Sequence, residues 1–104
     1  MTNMTFQEFE SSALAQGFDE ALERQWAPLT VVGIHSHPFA AKALVVQGDM
    51  WLTIGSGDTR HLRPGDTFEI DRDVTHNERY GSEGATYWVS RRAGLSSGVS
   101  ATQS

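Results

Sequence analysis

His35-Ser36-His37 and, later in the chain, His76 are the residues whose type and spacing point most directly at chemistry. In a β-strand, residues i and i+2 project to the same face. His35 and His37 would therefore present two imidazoles side by side, and a third from His76 could converge on them. Three imidazoles are enough to hold a divalent transition metal. Being neutral, they leave such an ion its full double charge and open coordination positions. It could then polarise a bound carbonyl, or lower the pKa of a bound water to roughly 7. The residues do not choose among iron, manganese, nickel and zinc.

Two further candidates follow His76 on the same strand face. Glu78 could ligate, orient a histidine as an acceptor, or act as a general base. Tyr80 could donate a phenolic hydrogen bond to a substrate. The plain alternative for Glu78 is a solvated ion-pair residue at a rim. His61, beside Arg60, reads as an outward-facing strand residue, and Lys42 as a solvent-facing lysine or the partner of a buried carboxylate rather than a catalytic amine. Phe39, Met50, Trp51, Phe68, Trp88 and a Leu44/Val46 stripe read as core or cup lining.

The elements that must position these groups fit one modest domain. The chain has 104 residues, 38% hydrophobic and 10% aromatic, which suits a globular chain with a single core. The longest apolar run, Ala43-Leu44-Val45-Val46, is far short of a membrane span. Met1-Thr2-Asn3-Met4 lacks the basic-then-apolar order of a secretory signal. Cysteine is absent, so disulfides, thiolate ligands and cysteine nucleophiles are excluded, and a cytoplasmic location is the expectation. A net charge of −5 without any basic run argues against nucleic acid as a partner.

Thr5 to Gln16 reads as a short amphipathic helix. Phe6, Phe9, Ala13 and Leu14 recur at helical steps, Thr5 and Glu8 resemble a capping box, and Gly17 is a natural stop. Such a helix would lie over an open face or edge of the remaining chain. Asp19 to Trp26 has helical propensity but is cut short by Pro28, and Leu22, Arg24 and Trp26 can share one face, so a strand is expected. From residue 30 onward the punctuation is all-β. Runs at 30–37, 42–46, 50–54, 67–70, 75–80 and 85–90 are separated by turn residues. Gln47-Gly48-Asp49 ends one run, and Gly81-Ser82-Glu83-Gly84 reads as a hairpin. Seven or eight short strands imply a sandwich or barrel. The expected organisation is a helical segment at 1–18, a barrel at 19–94 and a disordered tail at 95–104.

The pattern resembles the cupin superfamily, in particular a small single-domain, RmlC-like jelly roll of metal-binding type. His35-Ser36-His37 matches the paired histidines of that family's first motif, and Gly48 its closing glycine. Gly65 opens the second motif, and His76 falls at its histidine. The resemblance implies an all-β double-stranded β-helix, or jelly-roll barrel, over roughly residues 20 to 92. The departures are specific. The acidic ligand position falls on Ala41, or on Lys42 by the other permitted spacing. Asp71-Arg72-Asp73 stands where the family has Pro-x-Gly, Tyr80 replaces its final Asn, and the usual glycine spacing before the histidines is missing. What carries over is a three-histidine set without the motif carboxylate.

A metal-dependent cupin taking a small organic ligand into the barrel is the leading expectation, with oxygenase or isomerase chemistry open to it. A binding or sensing cup without turnover is the alternative, and a vestigial cup acting through its sheet surface is a third. Limited core and open strand edges make a C2 homodimer the default assembly, with Phe6, Phe9 or the 19–26 strand contributing.

Overall fold

A computed structural model describes residues 4–93. It opens with helix α1 (Phe6–Ala15). Thr5 is the N-cap: its hydroxyl accepts from Glu8 N–H, while the Glu8 carboxylate accepts from Thr5 N–H, completing the expected capping box. Gly17 then turns the chain out at φ +99°. The apolar face of α1 lies on the sheet, where Phe6 and Phe9 meet Trp88 at ring separations of 5.7 and 5.9 Å. The two phenylalanines are thus engaged within their own chain.

Six strands come after it: β1 (Glu20–Trp26), β2 (Val31–His35), β3 (Ala40–Ile54), β4 (Thr59–Leu62), β5 (Thr67–Ile70) and β6 (His76–Arg92). The ambiguous 19–26 segment is a strand. Two of the expected strand ends are not ends. The runs at 42–46 and 50–54 are one fifteen-residue strand, and those at 75–80 and 85–90 are one of seventeen. β3 and β6 pair antiparallel along their whole length, from Ala40 opposite Arg92 to Ile54 opposite His76.

The residues read as turns are bends in this long ribbon. Register slips between Val45 and Gln47 and between Gly48 and Met50, as bulges do when a strand changes direction. Gly48 sits at φ +73°, and a Cβ there would run into the Gly84 carbonyl; one on Gly84 would meet the Trp26 carbonyl. Only glycine permits backbones to cross this closely. Gly81 to Gly84 therefore does not reverse the chain, since Tyr80 and Ala85 on either side both still pair with β3.

The bend divides the ribbon between two layers. The first half of β3 and the second half of β6 are flanked by β5 and β1. The other halves are flanked by β4 and β2. Val45, Phe68 and Val89 from the first layer join Leu52, Leu62 and Tyr80 from the second in one buried cluster. Fully burying each aliphatic side chain contributes roughly 1.5–3 kcal/mol. The result is an all-β jelly roll with a short N-terminal helix, as expected. The inward stripe of β3 is Ala43/Val45, not Leu44/Val46; Leu44 lines a groove with the helix residues Phe9 and Ala13. The helix makes both faces of this strand apolar, which hides the true parity. The tail expected at 95–104 lies outside the described residues.

Candidate metal centre

β2 and the start of β6 bring the histidines together. His35 and His76 are direct cross-strand partners, with ring centroids 4.2 Å apart. Between Val32 and His35 the register slips. This bulge turns Ile34 out to 77% exposure and lets both Val32 and His35 face the same cavity despite their odd spacing. His37 lies just beyond β2. Its carbonyl accepts from Asp73 N–H at 2.8 Å, and its ring stacks on Phe39 at 4.8 Å and 10°. The three imidazoles each offer a nitrogen, and those nitrogens lie within 4.8 Å of one another.

Hydrogen bonds fix how two of the rings present themselves. His35 Nδ1 lies 2.7 Å from the Gly33 carbonyl, and His76 Nδ1 lies 3.1 Å from that of Val74. A carbonyl can only accept, so in the neutral rings Nδ1 carries the proton and Nε2 is a free lone pair. Metal-binding histidines are oriented in this manner. His37 is held neutral by its surroundings. Burial first, then the charges of His35, His76, Arg91 and Arg24, lower its pKa from 6.5 to about 4.

Glu78 and Tyr80 alternate inward after His76, as strand parity requires. The Glu78 carboxylate is 7% exposed. Its Oε1 accepts from the Tyr80 hydroxyl at 2.9 Å. Its Oε2 is buried with no hydrogen-bond partner, 3.5 Å from His35 Nε2 and 3.8 Å from His76 Nε2. Two donors bound to one ion at about 2.1 Å and tetrahedral angles sit roughly 3.4 Å apart. The spacing of the carboxylate oxygen and two imidazole nitrogens thus suits a shared cation or proton, which an otherwise unpartnered buried carboxylate oxygen calls for. Ala41, at the position where the resemblance expects an acidic ligand, lines the cavity with only a methyl group.

Tyr80 is not on the cavity wall. It stacks on Trp26 at 5.0 Å and 11°, and its hydroxyl is used by Glu78, with burial foremost in holding its pKa far above the ordinary phenol value. The expected donor to a substrate is instead a donor to Glu78. His61 stands apart from the triad, paired with Asp49 and stacked on Trp51. Trp51 faces a separate outer groove with Thr53 and Arg79, so neither Trp51 nor Trp88 lines the cup.

The cavity beside the triad has a volume of about 250 Å³. Phe39, Leu52, Phe68, Ile70 and Val89 give it apolar walls, and Arg24 and Arg91 also line it. Neither arginine stood out in the sequence. The signal available was parity: Arg24 shares a face with Leu22 and Trp26, and Arg91 with Tyr87 and Val89.

No protein-family model matches the sequence, and no curated protein is significantly similar to it. Solved structures do match. The DMSP lyase DddQ from Ruegeria pomeroyi is 19% identical at a TM-score of 0.67, over 76% of this chain and 40% of that one. An oxalate oxidase is 24% identical at 0.63, over 70% and 41%. An RmlC-like cupin from Shewanella frigidimarina is 20% identical at 0.61, over 71% and 66%. The chain spans less than half the length of the first two. These likenesses establish the fold, the double-stranded β-helix that cupins also have.

Proposed function

We propose that His35, His37 and His76, joined by Glu78, hold a divalent transition metal, and that the adjoining cavity presents one small organic molecule to it as a metal-dependent oxygenase or isomerase. The observation that carries this reading is the buried Glu78 Oε2, without a partner and facing two imidazole nitrogens whose lone pairs are free. Two lone pairs and a carboxylate oxygen repel one another until a cation or proton lies between them. The metal, when bound, supplies Lewis acidity and an open position for the ligand. The rest belongs to the chain. Gly33 and Val74 carbonyls orient the rings, Tyr80 holds one oxygen of Glu78, and the apolar walls exclude water. Two of the matched structures are, by name, a lyase and an oxidase, which supports an enzyme.

Ala41 favours a second reading, a binding cup without turnover, because the wall lacks a second carboxylate. There, a ligand raises the melting temperature and is not consumed.

Elemental analysis by plasma mass spectrometry, on wild type and His76→Ala, tests the metal. About one equivalent in wild type, falling to near zero in the variant, is expected. Wild type that stays metal-free after reconstitution with iron, manganese, nickel or zinc would sink the proposal.

A further inference from the structure

The cavity is cationic inside an acidic protein. Glu78 is the single carboxylate among its lining residues, against the guanidiniums of Arg24 and Arg91, while the whole chain carries −5. Both arginines are held in place by aromatic rings that lead to the centre. Arg91 lies 4.7 Å from the centre of Phe39, which stacks on His37. Arg24 lies 4.8 Å from the centre of Trp26, which stacks on Tyr80. Aromatic faces orient a guanidinium without neutralising it.

Their hydrogen bonding is incomplete. Among the described residues Arg24 has neither an ion pair nor a side-chain hydrogen bond. Among those residues Arg91 reaches only the exposed Glu20, through Nη1 at 3.5 Å, and its Nε is buried with no partner there. A guanidinium that lines an apolar cavity without a full set of acceptors is matched well by a carboxylate. There is room for one. Directly across the ladder from Arg91 is Ala41, whose methyl leaves the adjoining wall open.

We propose that the ligand of this cup is a small organic carboxylate, with Arg91 as its principal anchor and Arg24 as a second positive charge. The proposal deepens the reading above, and rests on it for the small-molecule cavity. A volume of about 250 Å³ lies below the roughly 300–1,000 Å³ of drug-sized pockets, so the molecule is a short one. The carboxylate takes the guanidinium, and its apolar carbons meet Phe39, Ile70 and Val89. The remaining functional group is then left toward His35, His37 and His76.

Calorimetry and thermal shift with succinate, malonate and glycolate, each beside its neutral amide, test this on the protein as purified and after chelation. The acids should bind at least tenfold more tightly than the amides, with the preference weakening as salt rises. Arg91→Gln should remove most of that preference, and Arg24→Gln part of it. Glu20→Gln, an exposed change that removes the competing anion, should tighten binding severalfold. Equal binding of acids and amides, no binding of any acid, or a preference unchanged in Arg91→Gln would each overturn the proposal. His76→Ala separates the two ideas. Metal lost with the preference retained keeps the carboxylate site whatever the metal does. Metal retained in an Arg91→Gln variant that binds acids like wild type leaves the centre standing and the anchor refuted.

Discussion

One layer of the jelly roll carries a histidine–carboxylate cluster on each of its faces, and the telling difference is whether imidazole and carboxylate satisfy each other. On the outer face His61 Nε2 meets Asp49 Oδ2 at 2.6 Å, the imidazole lies flat on Trp51, and Arg79 covers the same indole at 4.2 Å. The imidazole and carboxylate there satisfy each other, and the pair is about one-third exposed. Such a pair contributes roughly 0–1 kcal/mol. On the inner face His35, His76 and Glu78 are at similar range, yet the Nε2 atoms and Oε2 are left facing one another. Both set imidazole against carboxylate, but the inner one has more histidines and is buried deeper at His76 and Glu78. Satisfaction marks the outer cluster as structure, and its absence is what carries the proposal of a metal centre for the inner one.

Substituting the carboxylate on each face is the strongest way to break this comparison. Glu78→Gln places an amide N–H₂ where the imidazole lone pairs are. The metal-free protein should become more stable, by about 1–3 kcal/mol, while metal affinity falls at least tenfold to a hundredfold. Asp49→Asn should leave metal content unchanged and cost about 1 kcal/mol or less. Denaturant melts and metal titrations of both variants decide it. Metal binding by Glu78→Gln that equals wild type would make the inner carboxylate as structural as the outer one.

A finer probe is Tyr80→Phe, which strips the hydrogen bond from Glu78 Oε1 and leaves both oxygens bare. A loss of about 1–3 kcal/mol is expected in the metal-free protein, and most of it should vanish in a Glu78→Met background, which offers the Tyr80 hydroxyl no carboxylate. An identical loss in both backgrounds would show that Tyr80 acts through packing alone.

The smallest effect is in pH. The unfolded chain protonates His37 near 6.5, whereas the folded chain resists until about pH 4. Between those values the unfolded state binds more protons, so His37's contribution is present above pH 6.5 and is lost progressively toward pH 4. The metal-free protein should lose stability across that window, and His37→Asn should flatten the slope. A variant slope equal to that of wild type would remove His37 from the buried centre.

Much of the site was legible because parity is local. His76, Glu78 and Tyr80 share a face in any extended strand, and Thr5 with Glu8 closes a cap without help from the rest of the chain. The strand ends at 47–49 and 81–84 misled for a physical reason. Glycine and polar residues mark a departure from flat extended backbone, and a bend that keeps its ladder uses the same residues as a turn that breaks it. Only the partner strand distinguishes them: Gly48 is required by the closeness of Gly84, a neighbour far along the chain.

The sequence by itself determined an all-β chain with a capped helix, no thiol chemistry and three histidines able to share a face, since these depend on composition and on periods of two and 3.6 residues. Tertiary structure decided the rest. It joined four short runs into two long strands, used a bulge at Gly33-Ile34 to bring His35 to His76, and set Tyr80 behind Glu78. It also delivered Arg24 and Arg91 to the same cavity from opposite ends of the chain. Periodicity says which residues point together, but only packing says which face is inside and what stands opposite.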